Sequence, residues 1–191
     1  MVVGLWCQFP AVGQLFMGHL QAACPYVLPF AAPRTDNQSS VDYHRELGYK
    51  ISEDGAIEEQ DKFLRRMSGL MRLYCACMVS QAPRGSSSPH PHGLEQAWMW
   101  LCRTLNLEPH PDVTAGMIHD VLSVTGHALA SEYRGQFIKL LQCLLRDYLP
   151  KLRSVSVTSA AVSRLEIFLE ETVKNNGRIA PPEGLLSPHF W

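Results

Sequence analysis

The chain has 191 residues, a length that fits one compact domain of roughly 100–200 residues. Hydrophobic residues make up 46% and charged residues only 18%, against a usual charged fraction of about 25%, which excludes a charge-laced coiled coil or a disordered charged tail. With 17 basic and 18 acidic side chains the formal charge is -1, so no global positive field exists to hold nucleic acid without sequence preference, and any anion site must be a local cluster.

No run reaches the ~18 apolar residues of a membrane span. The N-terminal stretch is apolar but lacks a basic leader region, and Pro10, Gln14 and His19 interrupt it, so a secretion signal is not expected. The six cysteines, at 7, 24, 75, 77, 102 and 143, lie in apolar segments without paired loop spacing. They read as reduced core thiols.

The first helix is expected over Ala11 to Ala23, with Leu15, Phe16, His19, Leu20 and Ala23 at helical spacing. Cys24-Pro25 ends it, because a residue before proline leaves the α region. After a proline-rich loop, Ser40 reads as the cap of a short helix reaching Leu47. Residues 49–57 read as a small β-hairpin around Asp54-Gly55, a dipeptide that tolerates the positive φ of tight turns. Glu58, Glu59 and Asp61 then open a long helix, where the dipole favours anions. Its inward stripe is Phe63, Leu64, Met67, Leu70, Met71, Tyr74 and Met78. Gly69 suggests a close helix approach, and Pro83 closes the segment.

Residues 83–93 read as a polar loop. The next helix starts after Gly93 with Leu94, Ala97, Trp98, Leu101, Cys102 and Leu105 on one stripe. Asp112 reads as the N-cap of a helix carrying Val113, Met117, Val121, Leu122 and Leu129, weakened at Gly126. Another helix is expected from near Ser131 to Pro150, and a last one from about Ser159 to Lys174 with Asn175, Asn176 and Gly177 as its C-cap. The tail 178–191 is apolar and turn-rich, so it must dock on the domain or on a partner. Helices joined by short loops give an all-α, HEAT-like stack of hairpins or an irregular bundle, in a single domain over residues 1–191.

Candidate chemistry is sparse. His90-x-His92 with Cys75-x-Cys77 invites a zinc reading, but the two cysteines sit within a helix, two residues apart, and zinc pairs belong on turns. The histidines read instead as residues that fix the entry to the following helix. No nucleophile elbow and no phosphate loop is present, so the chain reads as a non-enzyme. Lys62, Arg65, Arg66 and Arg72 share a helix. They read as a solvated face or, in the sharper reading, as a surface for an acidic or phosphorylated partner.

The tracts FxxRMSGxxRLY (Phe63 to Tyr74), HPHGLxxxWxWL (His90 to Leu101), LNxEPxxDVTA (Leu105 to Ala115) and QFxKxL with DYxP (Gln136 to Pro150) resemble the C-terminal domain of the Gle-one (GLFG-lethal) family of mRNA export factors. The opening WCQFPxxGQLFMGHLQAACPY and the closing PPEGLLSPHFW resemble it too. The resemblance covers the later part of that domain, whose further helices would precede the position of Met1. It implies a HEAT-like fold similar to the middle domain of the translation initiation scaffold (MIF4G-like). It further implies binding to both lobes of a DEAD-box RNA helicase at the cytoplasmic face of the nuclear pore, with sites of action in cytoplasm and nucleus. The family stimulates that helicase's ATPase cycle, with inositol hexakisphosphate as the glue, and a phenylalanine-glycine-repeat nucleoporin docks on the C-terminal part. Translation initiation and termination factors are further partners it suggests; no metal, membrane or specific nucleic acid is implied.

Residue by residue, the resemblance departs at the inositol phosphate contact. Two family lysines stand where this chain has Ala22 and Ala23, with His19 one turn earlier. Losing two charge-assisted contacts of about 1.5–3 kcal/mol each predicts binding weaker by roughly a hundredfold or more. Arg65, Arg66, Arg72 and Lys139 are the partner-binding candidates. Two readings follow: a helicase-activating adaptor, or a truncated nucleoporin-docking module that activates nothing. A hydrolase using a reactive thiol is the third.

Overall fold

In a computed structural model, residues 2–81, 90–156 and 159–185 are described. Eight α-helices form among them: α1 (Val2–Gln8), α2 (Pro10–Ala23), α3 (Ser40–Glu46), α4 (Gln60–Val79), α5 (Leu94–Thr104), α6 (Thr114–Cys143), α7 (Leu149–Val155) and α8 (Ala160–Lys174). A 3-10 turn, Pro25–Val27, follows α2, and a π turn, Leu144–Tyr148, links α6 to α7. The helices stack in order, α4 along α6 and α6 along α8, with α5 against both α4 and α6. The expected all-helical stack of hairpins is therefore what forms.

The periodic stripes explain the stack. Phe63, Met67, Met71, Tyr74 and Met78 of α4 are buried, as the three-and-four spacing predicts, and Leu64 and Leu70 pack at the margin. On α5 the burial centres on Ala97, Trp100 and Leu101, and on α8 on Val162, Leu165 and Leu169. These join one hydrophobic core with Ile118, Leu122, Leu129, Phe137 and Leu141 of α6.

Several local expectations are corrected. Residues 49–57 hold no strand: a single antiparallel bridge joins Ile51 to Ile57. Gly55 takes φ 82 in the expected turn, but the Ser52 hydroxyl bonds Asp54 and the Ala56 carbonyl, and the ladder goes no further. Two short segments alone do not sustain a sheet. The cap of α3 is Ser39, whose hydroxyl accepts from the Asp42 N–H at 3.1 Å. Gly69 lies on the exposed side of α4 with nothing within 4 Å of a Cβ built there, so it marks no close approach.

Asp112 does not cap α6. It sits at φ 61, its N–H donates to Ser156 Oγ at 2.9 Å, and its carboxylate accepts from Gln60 Nε2 at 3.2 Å. The helix runs on through Gly126, where absence of a side chain admits Ile179: an added Cβ would lie 2.5 Å from Ile179 Cδ1. The break falls instead at Arg134, at φ 45 and ψ -117. Pro150 does not end the long helical run; it occupies the first turn of α7, where a missing N–H costs nothing.

The sequence periodicity gives no sign of α1, which rotates the face of α2 that is buried. Trp6 of α1 lies over Gly13, whose missing Cβ would fall 1.9 Å from the indole Nε1. As a result Leu20 is buried, whereas Leu15, 66% exposed, and His19 face outward. At the other end α8 closes as expected, with Asn176 and Gly177 at positive φ and the Gly177 N–H donating to the Thr172 carbonyl at 2.8 Å. His127 Nδ1 meets the Ile179 carbonyl at 2.8 Å, so the expected tail packs on α6 at Ile179. Residues 83–89 of the expected polar loop, with Pro83, and residues 186–191 of the tail lie outside the described residues.

Candidate interaction site

Two of the basic residues that the sequence singles out, Arg66 and Arg72, stand at two separate surfaces. The first is the corner where α2 ends. His19, Ala22 and Ala23 are exposed there, and α2 has no basic side chain in its last turn. A helix C-terminus carries a partial negative charge, so this end repels an anion unless side chains supply cations.

Arg66 comes closest. Its Nη1 donates to the Ala23 carbonyl at 3.2 Å, its Nη2 to the Gly48 carbonyl at 2.8 Å, and its Nε to Glu58 Oε1 at 3.1 Å. Nη2 also pairs with the second Glu58 oxygen. The guanidinium therefore ties the end of α2 and the Gly48 turn to the Glu58 carboxylate. Its partners lie 8, 18 and 43 residues away, so sequence spacing does not reveal them; Glu58 reads only as a dipole-favoured acid. Arg65, the next residue, is exposed. Ala22 and Ala23 bring no charge to this corner, and Arg66 is engaged by Ala23, Gly48 and Glu58.

The second surface is a groove between α4, α6 and residues 178–185. One lobe, about 480 Å³, is lined by Leu73, Ala76, Val79, Val124 and Leu185. A second, about 360 Å³, is lined by Ser123, Phe168, Asn175 and Arg178. Arg72, Pro182 and Glu183 border both. Arg72 stands 3.5 Å from the nearly buried Asp120 and keeps about half its side chain exposed. Leu73 and Leu185, 45% and 52% exposed, leave apolar surface at one end. Lys139 is exposed on α6 beyond the Arg134 break. The structure thus joins Arg66 to Ala23, puts Arg72 in the groove and sets Lys139 on the far half of α6.

The three buried thiols and the two histidines before α5 serve the fold. Burial pushes the Cys24 thiol up to about 11 and raises Cys75 and Cys77 as well, so these are thiols and not thiolates at neutral pH. His90 Nε2 meets the Cys77 carbonyl at 2.9 Å and its Nδ1 accepts from the His92 N–H at 3.0 Å. His92 in turn meets the Tyr74 hydroxyl at 2.8 Å and stacks on Trp6 at 5.3 Å. These two histidines fix the entry to α5, as their loop position suggests. Among the described residues no three His, Cys, Asp or Glu side chains converge on a metal position.

Comparison with known proteins decides the family. The family model described as GLE1-like protein matches residues 1–145. This chain belongs to the GLE1-like family. The mRNA export factor GLE1 of Rattus norvegicus is 41% identical over 98% of this chain and 27% of its own length. The Drosophila melanogaster mRNA export factor Gle1 is 29% identical over 100% of this chain and 28% of its own. This GLE1-like chain therefore spans little more than a quarter of those relatives. Among solved structures, a chain from the complex of the S. cerevisiae Dbp5 C-terminal domain bound to Gle1 and IP6 matches with a TM-score of 0.81. It is 23% identical, with 97% of this chain and 61% of that one covered. At that identity the match establishes the fold, a helical stack shared with the GLE1-like family.

Proposed function

We propose that this chain is a binding scaffold of mRNA export that grips a DEAD-box RNA helicase and biases the arrangement of its lobes. The observation that carries the reading is membership of the GLE1-like family, whose relatives are named mRNA export factors, together with a fold shared with a chain from a complex of Gle1 with the Dbp5 C-terminal domain. A rigid stack touching two lobes favours one arrangement by differential affinity and needs no catalytic group of its own. A preference of about 1.4 kcal/mol moves that equilibrium tenfold. Arg65 and Lys139, both exposed, are the side chains assigned to the helicase surface; Arg66 acts by holding the corner together. The working place is the cytoplasmic face of the nuclear pore. Calorimetric titration of the helicase with this chain tests the reading: saturable binding, weakened by Arg65→Glu, supports it, and no heat at micromolar concentrations of both overturns it.

The groove favours a second reading, a module that docks a phenylalanine-glycine nucleoporin. Its apolar end, with Leu73 and Leu185 exposed, suits an aromatic side chain, and the prolines at 181 and 182 border the polar lobe. Leu73→Asp separates the readings, because it abolishes nucleoporin capture and leaves helicase binding intact if the two surfaces are distinct.

A further inference from the structure

The loop before α5 holds one histidine in a single protonation state. His90 lies between a backbone acceptor and a backbone donor: its Nε2 meets the Cys77 carbonyl at 2.9 Å and its Nδ1 meets the His92 N–H at 3.0 Å. A carbonyl only accepts and an N–H only donates, so Nε2 carries the proton and Nδ1 is bare. The neutral ring satisfies both neighbours. An imidazolium has a proton on each nitrogen and sets Nδ1–H against the His92 N–H.

The second histidine carries α1. His92 Nε2 meets the Tyr74 hydroxyl at 2.8 Å, and its ring stacks on Trp6 with centroids 5.3 Å apart and planes 21° apart. Within its own hairpin Trp6 packs over Gly13 and lies 6.2 Å from Phe16; His92 is the ring it meets outside that hairpin. With seven residues, α1 is too short to persist in water unaided, so its helix depends on this seat.

The groups facing the pair leave the two imidazoles as the ones that titrate near neutral pH. On α4, burial pushes the Tyr74 phenol up to about 12 and raises the Cys77 thiol. On α5, Glu95 Oε1 accepts from the Gly93 N–H at 3.0 Å. Glu95 and Arg103 of that helix are exposed and opposite in sign, so their fields are screened and partly cancel. Helix α1 brings Cys7 and no charged residue. An imidazolium over Trp6 gains a cation–π contact, but burial opposes it and holds His92 below the ordinary histidine value of 6.5.

We propose that His90 and His92 form an acid-released latch for α1: protonation of His90 opens the turn that presents His92 to Trp6, and α1 leaves the core while α4, α6 and α8 stay folded. The opening is local, unlike a loss of global stability with pH. It is favoured as pH falls below about 6.5, because the released imidazoles accept a proton that the closed loop excludes.

Hydrogen exchange of the whole folded chain, corrected for the intrinsic effect of pH, tests the latch. From about pH 7 to about pH 5.5 the amides of Trp6 to Phe9 should lose about tenfold of their protection relative to those of α4, the equivalent of one hydrogen bond. His90→Gln supplies an N–H for the Cys77 carbonyl and an oxygen for the His92 N–H and does not titrate, so protection of α1 should stay at its pH 7 level at both pH values. His90→Ala removes both bonds, so α1 should be about tenfold less protected already at pH 7, with no further loss on acidification. Protection of α1 that falls no more than that of α4, or that keeps the parent's pH dependence in His90→Ala, overturns the proposal.

Discussion

Glu58 and Arg66 form a half-buried, two-pronged ion pair at the corner where α2, the Gly48 turn and α4 meet, with side chains 12% and 21% exposed. The pair also fixes backbone on both sides: Glu58 Oε2 accepts from the Lys50 N–H at 3.0 Å while Arg66 holds the carbonyls of Ala23 and Gly48. Removing one partner of such a pair leaves a charge without its counterpart. Glu58→Gln should cost about 2–3 kcal/mol, somewhat less than for a fully buried pair, measured by urea unfolding. The Arg66 hydrogen bond is the main reason the Glu58 carboxyl sits below its ordinary value of 4.5, with the Lys50 N–H adding to it against the opposing effect of burial. Its folded-state value is lower than its unfolded one, so this stability is complete above about pH 4.5 and is lost as pH falls through the folded value. An acid titration of the Glu58→Gln variant should therefore be flatter than that of the parent below pH ~4.5.

The imidazoles act in a second, higher window. Burial holds His92, His110 and His119 below the ordinary histidine value of 6.5. Each is neutral when folded and binds a proton more readily when unfolded. Their contribution is present above pH ~6.5 and disappears as pH falls through the lowered values. Stability should decline as pH falls below about 6.5, and His92→Phe, which keeps a ring against Trp6, should reduce that slope. An unchanged slope would show that His92 is not protonated on unfolding.

Arg134 occupies φ 45 and ψ -117, the first central position of a type II′ turn, which belongs to glycine. A non-glycine residue there stores about 1–3 kcal/mol. The side chain is exposed, so little is lost with it. Arg134→Gly should raise the unfolding free energy by about 1 kcal/mol, and a fall in thermal midpoint would count against the strain.

The α2 corner predicts weak affinity for inositol hexakisphosphate. His19, Ala22 and Ala23 are exposed at a helix C-terminus with no basic side chain in its last turn. Ala22→Lys with Ala23→Lys should tighten binding roughly a hundredfold or more at physiological salt. Submicromolar affinity of the unsubstituted chain would refute the assignment.

The long stripes of α4 and α8 are readable in the sequence because each buries one face of a regular helix, and burial of one face leaves a period of three and four in the letters; on α5 the buried face is turned toward Trp100 and Thr104, and the expected Trp98 and Cys102 are only partly buried. Features decided by distant contacts are not. The break at Arg134 follows no proline, and Asp112 looks like an N-cap until Ser156 takes its N–H. The unforeseen α1 turns the buried face of α2, because Trp6 claims the space over Gly13, so Leu20 stays inward while Leu15 and His19 face out. Arg66 is one of four basic letters on a helix; only the fold shows it spent on Glu58, Ala23 and Gly48, leaving Arg65 outward.

The steady-state ATPase rate of the cognate DEAD-box helicase, with RNA present and this chain titrated in, tests the scaffold account most directly. The account predicts a saturable rise in the helicase's rate, and no hydrolysis by this chain alone. A helicase rate unchanged at saturating chain, or turnover by the chain with no helicase added, would contradict it.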